Sequence, residues 1–247
     1  MTGISSKIHK WLALLMALQI LFWFVSGLFF ALVPIERVRS EHAIAEQRRA
    51  AVPFDTAADG LLRLGSAGVT GDKVEIRTLL DRPVAAISSR GGRPALYDLA
   101  SGRRLSPLPM AMAVRIAEAD HRGAARAARV ERIAANSPEY RGALPAWRVD
   151  FEDGANRSLY VAADSGAVAA RRSTLWRVYD FLWGLHIMDW RGHEDFNSPL
   201  LVVATALGLV VIVTGIIMFP NRLGYAAWRR RRRKANAGRS AGAGRPD

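Results

Sequence analysis

A chain of 247 residues, half of them apolar and none of them cysteine, has room for two membrane helices and one modest domain, and excludes disulfides, thiolate metal sites and cysteine nucleophiles. Its formal charge of +13 suggests nucleic acid only until it is located: Lys7 and Lys10 carry +2, the nine basic residues from Arg222 onward less Asp247 carry +8, and residues 11–221 hold the remaining +3. Basicity gathered at both ends is the pattern of short cytoplasmic tails, and with no basic groove interleaved with aromatics, nucleic-acid binding is not expected.

Residues 11–33 form an uncharged apolar run entered through Lys7, His9 and Lys10. It exceeds the roughly 7–15 residues of a signal-peptide core, so it reads as a retained anchor within an N-terminal segment 1–33. Ala13, Ala17, Ile20, Phe24, Gly27 and Ala31 recur on one helical face, with His9 extending it, and are expected to pack against a second helix. Gln19 and Ser26 are the polar side chains inside this run, and Gln19 is expected to make an interhelical hydrogen bond. Residues 34–49 are polar and charge-mixed, with Pro34 suited to open a new helical turn.

From residue 53 the pattern becomes that of a small α+β domain, spanning 34–173. A helix over 56–64 precedes strands at 73–79, 84–88 and 93–99; a helix over 110–120 precedes strands at 127–133, 146–151 and 158–163. Pro94-Ala95-Leu96-Tyr97, closed by Ser101-Gly102, matches Arg157-Ser158-Leu159-Tyr160, closed by Asp164-Ser165-Gly166. The domain is therefore expected to be a duplication, with repeats at about 53–109 and 110–173, each a helix covering a three-stranded antiparallel sheet.

Residues 174–198 form an aromatic interfacial helix and loop, in which Trp176, Tyr179, Trp183 and Trp190 alternate with Arg177, Asp180, Asp189 and Arg191. Residues 199–219 contain no ionisable group and are long enough to cross a bilayer of roughly 30 Å. Ala204, Gly208, Val211 and Gly215 share one face of this second span. Residues 220–247 are a basic tail whose distal Ala/Gly/Ser part is expected to be disordered and cytoplasmic. Both termini then face the cytoplasm, and residues 34–198 lie outside it, in the periplasm of a Gram-negative cell.

The helix before Trp147-Arg148-Val149-Asp150-Phe151, then Leu159-Tyr160-Val161-Ala162-Ala163-Asp164-Ser165-Gly166, resembles the PepSY module. The flanks, Ile8-His9-Lys10-Trp11-Leu12 opening the first span, and Leu185-His186 followed by Thr214-Gly215 ending the second, resemble PepSY-associated transmembrane proteins. That resemblance implies a bacterial inner-membrane protein linked to iron or siderophore uptake. Its larger four-helix members are similar to haem-carrying reductases with membrane histidines as axial ligands. This chain has two spans rather than four, so a complete di-haem core within one chain is not expected.

Among the five histidines, His9, His186 and His42 are the candidate ligands of a haem b. A roughly 30 Å core separates His9 from the others, so it cannot share a haem with His186 of its own chain. His42 and His186 could meet on the outer side. A symmetric dimer offers the alternative, His9 facing His9 and His186 facing His186. Against these stand plainer readings: His9 as a basic flank, and His186 as a belt residue capped by Asp189. His193, beside Glu194 and Asp195, reads as a solvated loop residue or a weak metal ligand, and His121 as a helix terminus favoured by the dipole. No catalytic motif is present: no phosphate loop, no His-Glu-x-x-His and no nucleophile elbow. Any redox chemistry would belong to a cofactor. The alternative function is a non-enzymatic module that engages a periplasmic protease, sensor or envelope protein, or holds a siderophore on its surface.

Overall fold

The computed structural model describes residues 2–45, 50–222 and 232. They form an α+β protein in two compact units, one of long apolar helices and one spanning residues 29–183.

The helical unit is built on α1 (Thr2–Leu32) and α6 (Pro199–Arg222). Their apolar windows, Ser6–Leu32 and Pro199–Phe219, have mean hydropathies of 2.2 and 2.8 and cross a bilayer with room to spare. Most of their surface is apolar and unburied, as at Leu15 (69% exposed), Leu18 and Ile216, which suits lipid and not water. Ser198 Oγ accepts the Leu201 amide (3.2 Å) just ahead of Pro199, a hydroxyl cap followed by proline in the first turn. Ala204 and Val211 are buried against Met16, Leu12 and Ile20, and Gly208 and Gly215 on the same face admit Trp23 and His9. The small face of the second span therefore packs as the sequence suggests. On α1 the packed face is rotated from the expected one. Ala17, Phe24 (75% exposed) and Ala31 point outward, while Met16 and Trp23 turn in, because the small residues of α6 leave space that long side chains fill.

The second unit begins with the end of α1. Phe30 packs on Tyr179 and Trp183 (centroids 4.7 and 5.8 Å) of α5 (Thr174–Ile187). Short turns follow α1, α2 (Ile35–Val38) and a 3-10 turn at Glu41–Ala43. Then come α3 (Phe54–Ser66) and the sheet β1 (Lys73–Leu79), β2 (Arg82–Ser88), β3 (Ala95–Asp98), all antiparallel in chain order. Next are α4 (Met110–Asp120) and a four-stranded antiparallel sheet, β4 (Ala127–Ile133), β5 (Ala146–Phe151), β6 (Ser158–Ala162) and β7 (Val168–Arg172).

Strand alternation sorts the core. Ala85, Ile87 and Ile76 on one face of the first sheet meet Leu64 and Leu61 of α3, while Val84 and Leu96 on the other face join Ala113, Ile116 and Ala117 of α4 and Val149, Leu159 and Val161 of the second sheet. Each helix was expected to cover one sheet; α4 instead serves both. The second sheet also has a fourth strand, β7, absent from the sequence reading. Its Val-Ala-Ala-Arg-Arg composition hides it, and its two arginines are held by specific partners: Arg171 donates to both Asp120 oxygens (2.6 and 2.5 Å), and Arg172 stacks over Trp176 (4.0 Å). The turn before it needs glycine, since Gly166 sits at φ 70° and a Cβ there would lie 3.1 Å from Leu108 and Leu79 side chains.

Candidate functional site

The polar residues of α1 follow a helical stripe, Gln19, Trp23 and Ser26, and all three engage the last turn of α5. The α5 helix stops at Met188, whose φ of 56° turns the chain, leaving its final carbonyls without intrahelical partners. Trp23 Nε1 donates to His186 O at 2.8 Å and Gln19 Nε2 to Leu185 O at 3.4 Å, the interhelical role expected of Gln19. Ser26, 1% exposed, places Oγ 2.7 Å from His186 Nδ1. At the other end of α1, His9 Nδ1 lies 2.8 Å from Thr214 Oγ1 of α6, and the ring fits because Gly215 has no side chain: a Cβ would stand 3.3 Å from His9 Cε1.

Seventeen residues of α1 separate His9 from Ser26, about 26 Å of helix rise. His9 and His186 are therefore not two ligands of one group within a chain. Each is a single imidazole, half-buried and anchored through Nδ1 to a hydroxyl of another helix. Such anchoring of the non-ligating nitrogen is the usual support of a metal-bound histidine. An imidazole is the type of donor that a haem iron takes, and each end offers one.

The other histidines are differently placed. Exposed His42, in the 3-10 turn, has Nε2 3.4 Å from the Arg157 guanidinium, so the nitrogen a metal would take faces a cation. His193 sits in the loop after α5 at φ 57°, its ring over Gly184, where a Cβ would come within 2.6 Å of it. Among the described residues no cluster of three His, Asp or Glu is arranged to hold a metal ion. Asp189, expected to cap His186, instead organises its own loop: its carboxylate accepts the backbone amides of Glu194, Asp195 and Gly192 (3.0, 3.1 and 2.9 Å), which hold it well below the usual carboxylate range. His121, expected as a helix terminus, follows the last residue of α4; it is buried, stacks on Phe151 (4.6 Å) and lies 3.6 Å from Asp153, and burial pushes its pKa down and outweighs that carboxylate.

The residues that escaped the sequence reading are the partners. Ser26 and Thr214 stood out as residues of the two spans, but not as partners of the histidines, and Trp23 did not stand out at all. On α1 the signal is spacing, a hydrogen-bonding group every three to four residues at Gln19, Trp23 and Ser26. Residues 6–241 match the family of the PepSY-associated TM region. The chain belongs to that family. Among curated proteins and solved structures, no match was found. As a PepSY-associated membrane protein it resides in a lipid bilayer, and the domain between its spans is the α+β unit described above.

The PepSY-associated chain carries two further features in that unit. On the outer face of the second sheet, Glu139 accepts from Arg177 Nε (2.7 Å) and Tyr160 O–H (2.9 Å), Tyr160 stacks on Tyr140 (4.9 Å), and Arg148 donates to Asp150 (2.8 Å). Burial raises the Tyr160 phenol strongly, with the Glu139 bond adding to it. A cleft of about 680 Å³ lies between edge strands β1 and β7, with Ile76, Ile116 and Val168 on its walls and Phe54, 94% exposed, at its rim.

Proposed function

We propose that this PepSY-associated protein is an inner-membrane subunit of haem-linked electron transfer serving iron or siderophore uptake, with cytoplasmic termini and a periplasmic PepSY-type domain formed by two repeats, about 53–109 and 110–173. The reading rests on one observation: an imidazole anchored through Nδ1 at each end of the helix pair. Two copies related by symmetry would place His9 opposite His9 and His186 opposite His186, four helices in all, and supply two bis-imidazole sites at opposite membrane depths. A bound haem b supplies one-electron chemistry at each site. The chain's own part is to present the ligands, fix their rings through Ser26 and Thr214, and exclude water with the apolar faces of α1 and α6.

The test is a visible spectrum of the full-length protein purified in mild detergent after haem-replete expression. A Soret band altered by His186→Ala and by His9→Ala is expected. A folded protein without the band would overturn the cofactor, and a band unchanged in both variants would overturn the ligands.

A second reading, a binding module for a periplasmic protein, is favoured by the cleft, because the outward edges of β1 and β7 have no strand partner among the described residues. A stoichiometric protein partner co-purifying without any chromophore would support it in place of the first.

A further inference from the structure

Hydrogen-bond alternation in the first sheet decides which backbone groups of β1 are spoken for. Leu99 N donates to Pro83 O (2.9 Å), so the odd residues of β2 turn their amides and carbonyls towards β3 and the even ones towards β1. The register sets Val84 opposite Arg77 and Ala86 opposite Glu75, which leaves the N–H and C=O of Val74 and Ile76 pointing off the outer edge of β1. Among the described residues no strand pairs with that edge. Thr78 Oγ1 donates to Ala50 O (2.6 Å), so Ala50 marks where the open stretch ends. The edge borders the cleft of about 680 Å³, whose far wall is β7.

We propose that this edge is a strand-addition site for an extended segment of a periplasmic partner, apolar at alternate positions and carrying between them an acidic residue beside Lys73 and a basic one beside Glu75. The inference rests on the second reading, a binding module, and names what the module binds. Side chains of β1 alternate to match: Val74 (45% exposed) and Ile76 lie on the α3 side of the edge, and Lys73 and Glu75, both exposed, lie on the other, beside a second hollow of about 360 Å³ bounded by Ser88 and Pro94. A chain laid along β1 therefore sends successive side chains into hollows of different character, while its main chain meets Val74 and Ile76. The cleft has the volume of a small-ligand pocket, roughly 300–1,000 Å³, which suits a short extended peptide and not a folded domain. Charge decides against a second copy: lysine on an edge strand blunts the pairing of like edges, whereas an acidic side chain on a partner turns Lys73 into an attraction.

The chain holds no cysteine, so Phe54→Cys, at the exposed rim of the cleft, supplies a single thiol. The experiment links that full-length protein, in lipid nanodiscs, by a disulfide and a flexible spacer to a short synthetic peptide of alternating valine and polar residues, the polar ones including one glutamate and one lysine. The tether holds even a weak ligand at an effective concentration in the millimolar range. Amide hydrogen exchange at Val74 and Ile76 should slow by about tenfold, the scale of one hydrogen bond, and the same peptide N-methylated on its β1-facing amides should lose the effect. Val74→Pro, which removes an outward N–H and spares the bonds to β2, should speed exchange at Ile76 again in the tethered protein. Exchange unmoved by the peptide, or slowed equally by its N-methylated form, overturns the inference, as does slow exchange at both amides before any peptide is attached. A stoichiometric protein partner that co-purifies although the peptide fails would keep the binding-module reading and sink strand addition. Peptide pairing in a protein that retains no partner would do the reverse, so the two fail separately.

Discussion

The two polar clusters of this molecule do opposite jobs with similar bonds. In the sheet domain, Glu139 gathers Arg177, Tyr160 and Arg148, and Asp120 takes both arms of Arg171, so charge is neutralised by charge and the network ties loop, strand and helix together. In the helix pair, hydroxyls, the Gln19 amide and an indole meet two imidazoles and two carbonyls, and none of these four bonds pairs opposite charges of carboxylate and guanidinium. Ionic bonds between partly buried groups are costly to break, whereas interhelical hydrogen bonds in membranes average well under 1 kcal/mol. The contrast teaches that the first cluster holds a fold, and the second orients two rings.

Mutations sharpen this contrast in order of size. Glu139→Ala strands Arg177 and Arg148 against the sheet and should lower the stability of the full chain by about 2–3 kcal/mol, read from chemical unfolding in detergent. Gly60→Ala should cost a similar 1–3 kcal/mol by overpacking, since its Cβ would fall 2.6 Å from Leu99 in the contact between α3 and the first sheet. Ser26→Ala should cost no more than about 1 kcal/mol in the same measurement, while freeing the His186 ring from its hydroxyl contact. An equal loss from Ser26→Ala and Glu139→Ala would erase the distinction.

In the sheet domain acid should act through three groups, His121, Glu139 and Asp153. Burial lowers His121, so the fold favours its neutral form; that contribution is complete above the ordinary imidazole value of about 6.5 and is lost as pH falls through the depressed value. Burial would raise Glu139 and Asp153, but hydrogen bonds from Arg177 and Tyr160 to the first, and from Arg157 to the second, outweigh it and hold both below the usual carboxylate range. Their stabilisation is present above the unfolded value near 4 and disappears as pH drops through the folded one. Melting temperature should therefore fall first below about pH 6.5 and again in the carboxylate range, and His121→Gln should remove the first step.

Much of this was legible in the sequence, and the losses have causes. The spans announced themselves by uninterrupted hydropathy, and strands such as Lys73–Leu79 and Ala146–Phe151 by alternation bounded by turns. Strand β7 was hidden because its stabilisation comes from arginines reaching Asp120 and Trp176, partners distant in sequence or on the next helix. The rotated face of α1 was hidden because Met16 and Trp23 are large, and only the glycines and alanines of α6 show where they fit. The site was half legible: His9 and His186 stood out by residue type, but Ser26 and Thr214 acquire meaning only once helices are brought together.

The central claim is that two chains build two haem sites from one imidazole per end. It is tested most directly by haem stoichiometry on the purified, haem-loaded protein, with its mass in solution measured in parallel. The account predicts a dimer carrying about one haem per chain, falling to about half in His9→Ala or His186→Ala. A monomer with a full complement of haem, or a dimer with none, would contradict it.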